Sequence, residues 1–231
     1  LFRGLSFFKE LPQLLAEKFS QGCEVYDYAC SVGHEALSIV ISLFDFFGKD
    51  EAKKYLPIKA FDNNPAIINM ANQWKIFLSK QEISYLNTFS NVNSSSFVKK
   101  ISGSIIDEKE YAVNDNVKKF IKFKESDLFK DLENKNFGDK PCILFFRNAW
   151  PYLTKEGRTK LVKLLSDNLT SGSIVVIGHF DKMHCRGLVS EFLDNDFKRI
   201  VKTYKTGYKE YPDEFQDIEN NSVSAYCFEK K

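Results

Sequence analysis

The stretch Glu24–Ser38, EVYDYACSVGHEALS, constrains the fold more than any other part of the chain. Val25, Tyr26 and Tyr28 form a short β-prone run that ends in the small residues Ala29, Cys30 and Ser31, with Gly33 just beyond. From Glu35 onward the apolar residues Leu37, Val40, Ile41 and Phe44 recur at helical spacing. A strand that turns sharply through small residues into a helix is the geometry of a nucleotide or cofactor cradle. In such a cradle, N–H groups of the turn and helix start face an adenosyl, phosphate or carboxylate group, and the missing side chains let the ligand approach. Plain α/β scaffolding has the same pattern, and more often. The stretch is not a Walker A loop, because no Gly-Lys-Ser/Thr follows, and it carries one of the three glycines of the dinucleotide fingerprint.

The rest of the chain alternates helices and strands around this turn. Leu1–Ser20 reads as a helix with Phe8, Leu11, Leu14, Leu15 and Phe19 on one stripe, and the helix after the turn ends near Gly48. A second strand, Ile58–Phe61, stops at Asp62-Asn63-Asn64-Pro65. A carboxylate there is placed to accept ribose hydroxyls or to cap the helix from Pro65, and the two roles are compatible. Ile67–Leu78 continues as a helix. Asn87–Ser96 is a polar loop, and Val98–Val113 has the β-branched content of a hairpin insertion. Lys119–Asp127 alternates basic and apolar residues as a strand does; its lysines fit a solvated face better than a phosphate patch.

Cys142–Phe146 (CILFF) is the most apolar short run and reads as a central parallel strand buried on both faces. Its end, Arg147-Asn148, falls where open α/β sheets bind ligands. Thr154 caps a helix to about Leu169, and Ser173–Gly178 is a further strand ending at His179. His179, Asp181, His184 and Cys185 match no standard metal-site spacing, so no metal is assigned. Met183–Leu193 reads as a helix, followed by strands Phe197–Tyr204 and Ser222–Phe228 joined by the acidic loop Tyr211–Asn221. The fold class that results is α/β: a doubly wound, Rossmann-like, mostly parallel sheet with a C-terminal antiparallel strand pair and a small β insertion at about 84–117 of a single domain, 1–231.

Composition limits the function classes. The chain has 231 residues, is 43% hydrophobic and holds 22 Phe, which is ample for a packed core. A net charge of +2 argues against a general nucleic-acid surface. No apolar run reaches the length of a membrane span. Five scattered cysteines read as reduced core thiols, the expectation for a cytoplasmic protein. The chain opens at Leu1 rather than Met, so a preceding segment is expected.

Five stretches, in order, resemble the CheR-type chemotaxis receptor methyltransferases. Leu1-Phe2-Arg3 is similar to the family's Phe-Phe-Arg opening, and Cys30–Ser38 to its Cys-Ser-Thr-Gly-Glu-Glu-Pro-Tyr-Ser turn. Asp62 stands at the ribose-binding Asp, Asp127 at an adenine-side Asn, and Phe145–Leu153 (FFRNAWPYL) resembles Phe-Cys-Arg-Asn-Val-Leu-Ile-Tyr-Phe. Val32, His34, Ala36-Leu37, Asp127 and Cys142 depart from that pattern, and the family's N-terminal helical domain, which helps contact the receptor, is not part of this sequence.

The resemblance implies an S-adenosylmethionine-dependent methyltransferase that acts on a carboxylate of an acidic, receptor-like protein. It places Ser31, Gly33 and Glu35 under the methionine part of the cofactor and Asp62 on the ribose. Asp127 and Leu128 bracket the adenine, Asn148 lies beneath the cofactor, and Arg3 and Tyr152 stand near the methyl group as catalytic residues. The departures keep open a small-molecule acceptor, or a degenerate module that binds cofactor or a partner without turnover.

Overall fold

The computed structural model describes residues 1–2, 4–89, 91–105, 108–200 and 226–231. Helix α1 (Leu5–Lys18) precedes strand β1 (Val25–Tyr28), helix α2 (His34–Glu51) and strand β2 (Ile58–Asp62). Helix α3 (Pro65–Ala71), strand β3 (Lys75–Ser79), helix α4 (Lys80–Leu86), and strands β4 (Val98–Ile105) and β5 (Glu108–Val113) come next. Then follow helix α5 (Asp115–Lys118), strand β6 (Ile121–Glu125), helix α6 (Leu128–Glu133) and strand β7 (Ile143–Phe146). Helix α7 (Lys155–Asn168), strand β8 (Ile174–Val176), helices α8 (His179–His184) and α9 (Leu188–Asp194), and strands β9 (Phe197–Arg199) and β10 (Cys227–Lys230) complete the order.

Seven strands form one sheet in the order β6-β2-β1-β7-β8-β10-β9. The first five run parallel, and β10 lies antiparallel between β8 and β9. This is the doubly wound sheet with its antiparallel C-terminal pair that the alternation of elements implies. Strand order reverses between β1 and β7, and the crevice at the carboxyl ends of the strands on either side of that reversal is where open α/β sheets hold ligands. Both strands are buried along their whole length, β7 as an unbroken apolar run and β1 with Asp27 among its apolar residues. Phe7, Phe8, Phe145, Trp150, Phe192, Phe197 and Phe228 are among the largest fully buried side chains. Each stabilises the fold by about 1.5–3 kcal/mol through removal from water.

Three stretches differ from their sequence expectations. Ile67–Leu78 is not one helix: α3 ends at Ala71, Trp74 takes the left-handed conformation at φ 58°, and the chain leaves as β3. Ile76 and Leu78 are then buried while Lys75 and Phe77 face out, a period of two inside a segment that is also compatible with 3.6. Strands β3, β5 and β4 form a separate antiparallel sheet. Met183–Leu193 is divided between α8 and α9, because Gly187 sits at φ 88° between them. Helix α4 went unread, although Ser79 and Glu82 form the reciprocal capping box that marks its start. The strand expected at Phe197–Tyr204 is described as far as Arg199 in β9, and the Tyr211–Asn221 loop lies outside the described residues.

Candidate active site

The turn after β1 is built from alternating left-handed residues: Ala29 at φ 57°, Ser31 at 52° and Gly33 at 91°. Three of its N–H groups, which the sequence reading expected to face a ligand, are used within the protein. The Cys30 N–H donates to the Phe61 carbonyl (2.9 Å), that of Ser31 to Asp62 Oδ2 (3.1 Å) and that of Gly33 to the Cys30 carbonyl (3.0 Å). Gly33 lines no wall of the cleft. A Cβ there would stand 2.4 Å from the Phe123 ring, so its bareness admits an aromatic side chain of β6.

Two adjoining cavities run along the carboxyl edge of the sheet. One, of about 480 Å³, is lined by Phe2, Ser31, His34, Glu35, Arg147 and Asn148 among others. The other, of about 350 Å³, is lined by Asp62, Asn63, Ser126, Asp127, Leu128 and Phe129 among others. Ala29, Ala149 and Tyr152 line both, which makes them one cleft. Seven of the nine residues singled out in the sequence thus meet here, namely Ser31, Glu35, Asp62, Asp127, Leu128, Asn148 and Tyr152. Gly33 supports the bend from behind, and Arg3 lies outside the described residues.

Local structure fixes each side chain. Asp62 accepts N–H bonds from Ser31 on Oδ2 and from Asn64 on Oδ1 (3.0 Å), joining the end of β2 to the bend. The helix from Pro65 is capped by Asn64, whose Oδ1 accepts from the Ala66 N–H, and not by Asp62. Asp127 caps α6 by accepting from the Lys130 N–H (3.1 Å). Asn148 holds a left-handed backbone at φ 58°, and its N–H donates to Asp181 Oδ2 at 2.6 Å. Tyr152 is 83% exposed at the junction of the two cavities.

Two charged residues of the site were not assigned from sequence. Arg147 donates from Nη1 to Glu35 Oε2 at 2.5 Å, with its side chain 2% exposed against the Phe7 and Phe8 rings. The Glu35 carboxylate therefore has a protein partner of its own. Asp27, on β1 beneath them, is 1% exposed. One of its oxygens accepts from the Ala36 N–H, and Oδ2 has no hydrogen-bond partner among the described residues. Burial holds the Asp27 carboxyl well above the usual carboxylate range. Glu35 and Asp62 push it further up, against the pull of Arg147 and the Ala36 N–H. An aspartate inside a strand of otherwise aromatic and aliphatic residues, two positions before the small-residue bend, was the legible signal for it.

Of His179, Asp181, His184 and Cys185, to which no metal is assigned, Asp181 serves the backbone around the cleft. Asp181 is buried and accepts from Gly178 (2.6 Å), Asn148 (2.6 Å) and Trp150 (3.1 Å) N–H groups. Burial outweighs these donors and pushes its carboxyl up to about 6.

A cleft whose walls carry Glu35, Asp62 and Asp127 fits a cationic nucleoside, and S-adenosylmethionine carries both an ammonium and a sulfonium. Fold and cleft together are those of the S-adenosylmethionine-dependent methyltransferases. Residues 1–227 match the family "CheR methyltransferase, SAM binding domain". The chain belongs to that family, and S-adenosylmethionine is its cofactor.

Among solved structures, a TehB-like SAM-dependent methyltransferase from Corynebacterium glutamicum is similar at 13% identity and TM-score 0.45, over 97% of this chain and 88% of that one. The trans-methyltransferase CalH in complex with SAH is similar at 11% identity and TM-score 0.43, over 73% and 35%. PKMT2 from Rickettsia typhi in complex with AdoHcy follows at 10% identity and TM-score 0.40, over 75% and 25%. No curated protein matches. No helix among the described residues is long and apolar enough to cross a membrane.

Proposed function

We propose that this methyltransferase acts on a carboxylate of an acidic protein, with the adenosine of the cofactor in the cavity of Asp62, Asp127 and Leu128 and its methionine part in the cavity of Ser31, Glu35 and Asn148. Asp62 accepts the ribose hydroxyls, since each of its oxygens accepts one backbone N–H and keeps a lone pair. Asp127 and Leu128 bracket the base. When bound, the cofactor supplies a methyl group on a positively charged sulfur, open to in-line attack. The protein's part is to hold an acceptor in line with the methyl group.

The observation that carries the acceptor reading is Tyr152, standing at the junction of the two cavities and open to solvent. Its hydroxyl is placed to donate to a carboxylate presented on another protein. A carboxylate is nucleophilic near neutral pH without a base. By the family resemblance Arg3 shares this task.

A second reading takes a small-molecule acceptor. It is favoured by the aromatic wall of Phe2, Phe8 and Phe77 beside His34 in the larger cavity, an enclosure suited to a compact ring. Incubation with methyl-labelled cofactor and either a receptor cytoplasmic fragment or cell lysate separates the two. Label on protein that mild base releases as a methyl ester supports the carboxylate reading. Label on small molecules alone sinks it.

A further inference from the structure

Beneath the cleft, among the described residues, the carboxyl groups of Asp27 and Glu35 meet the guanidinium of Arg147, and these three carry one more negative than positive charge if all are ionised. Glu35, on α2, pairs with Arg147 from the loop after β7. Asp27, on β1, has its Oδ2 buried without a partner among the described residues. The charged and titratable groups acting on Asp27 come from every side: Glu35 above it, Arg147 beside it, Asp62 at the end of β2, and the Cys30 thiol in the bend. Among the described groups Arg147 is the cation, and its Nη1 donates to Glu35. A second buried carboxylate next to this pair is costly, and the carboxyl answers by keeping its proton.

We propose that Asp27 is a proton site linked to cofactor binding: when the cofactor's α-ammonium enters beside Glu35, Asp27 gives up its proton to solvent. The reaction is Asp27–COOH to Asp27–COO⁻ plus a proton taken by the buffer; no other bond is made or broken. The ammonium adds a positive charge beside Glu35, and it offsets the negative charge that a deprotonated Asp27 adds. Asp27 does not line the cleft, so it acts through Glu35 and Arg147 as a positioning residue. This inference rests on the methionine part lying at Glu35.

Calorimetry near pH 7 in two buffers of different ionisation enthalpy counts the protons. We expect release approaching one proton per cofactor, about the limit for a single linked group, with S-adenosylmethionine and with S-adenosylhomocysteine, since both carry the ammonium. Methylthioadenosine, which lacks it, releases none. In wild type the affinity for S-adenosylmethionine rises with pH by up to about tenfold per unit below the range where the cofactor's own amine titrates, and that rise is lost in Asp27→Asn. Where Asp27→Asn fails to fold, the infrared band of a protonated carboxyl in the wild-type enzyme, lost when S-adenosylmethionine is added, carries the same test. Binding without proton release, an unchanged count in folded Asp27→Asn, or a persistent carboxyl band overturns the proposal and leaves the cofactor assignment intact. Release with methylthioadenosine overturns the role of Glu35. Absence of any binding heat from folded protein overturns the placement of the cofactor and the proton site with it.

Discussion

Asp181 holds the backbone of Asn148 in place: its Oδ2 accepts the Asn148 N–H at 2.6 Å and the Gly178 N–H at the same distance. Its other oxygen takes the Trp150 N–H. One carboxylate thus joins the loop after β8 to the loop after β7, the one that presents Arg147, Asn148 and Tyr152 to the cleft. Asp181→Ala leaves three donors without their acceptor in the interior. It should cost about 3–5 kcal/mol in denaturant unfolding, at about 1–3 kcal/mol per stranded group less what relaxation recovers. Asp181→Asn keeps an acceptor oxygen and should cost less. Cofactor affinity should fall in the same order, measured on protein still folded.

In the proposed function Asp62 joins a structural and a binding task, and substitution separates them. Its two N–H bonds, to Ser31 and Asn64, are exposed, so Asp62→Ala should lower stability by about 1–2 kcal/mol. Loss of two charge-assisted bonds to ribose should weaken cofactor binding by about a hundredfold or more from the micromolar affinity expected of the wild type. Calorimetry together with a thermal melt checks both halves. Unchanged affinity in a folded variant would remove Asp62 from the site.

What was legible in the sequence followed from local causes. The apolar run ending at Phe146, the small-residue bend after Tyr28 and the Thr154 cap each specify their structure within a few residues, and all three stand as read. Helix α3 was overextended because Ile67–Leu78 is apolar at both helical and strand spacing. A left-handed Trp74 and pairing with β5 decide the matter, and neither can be seen locally. The site divided the same way. Asp62 and Asp127 mark strand ends and helix starts, so their places could be read. The Arg147–Glu35 pair spans 112 positions and arises from the sheet order that sets β7 beside β1.

Gly33 is required by its neighbour as well as by its backbone. At φ 91° any L side chain is strained, and a Cβ would meet the Phe123 ring at 2.4 Å. Gly33→Ala should destabilise by roughly 2–4 kcal/mol, about half from the left-handed backbone and half from displacement of the ring. Adding Phe123→Ala opens the space but leaves the backbone strain. The double variant should therefore be less destabilised than the sum of the two single ones, by about 1 kcal/mol in a double-mutant cycle. Strict additivity would mean that the ring does not set the limit at this position.

Lys9 provides the pH test of the fold. It is 6% exposed, donates to the Thr88 carbonyl at 2.8 Å and sits over the Phe89 ring beside a cavity of about 150 Å³. Burial lowers its ammonium from 10.5 to about 8, against the pull of Asp45. The folded value lies below the unfolded one, so the fold favours the neutral amine. The stability this contributes is complete above about 10.5 and is lost as pH falls through about 8. Near pH 7 the charged amine is therefore a burden, by about 1–2 kcal/mol after allowing for water reaching it through the cavity. Lys9→Met removes that burden together with the Thr88 bond. The stability of the variant relative to wild type should thus be most favourable near pH 7 and decline by about 1 kcal/mol or more toward pH 10. Denaturant unfolding at both pH values measures the difference, and a gap that does not change with pH would show that the Lys9 amine titrates alike in the folded and unfolded chain.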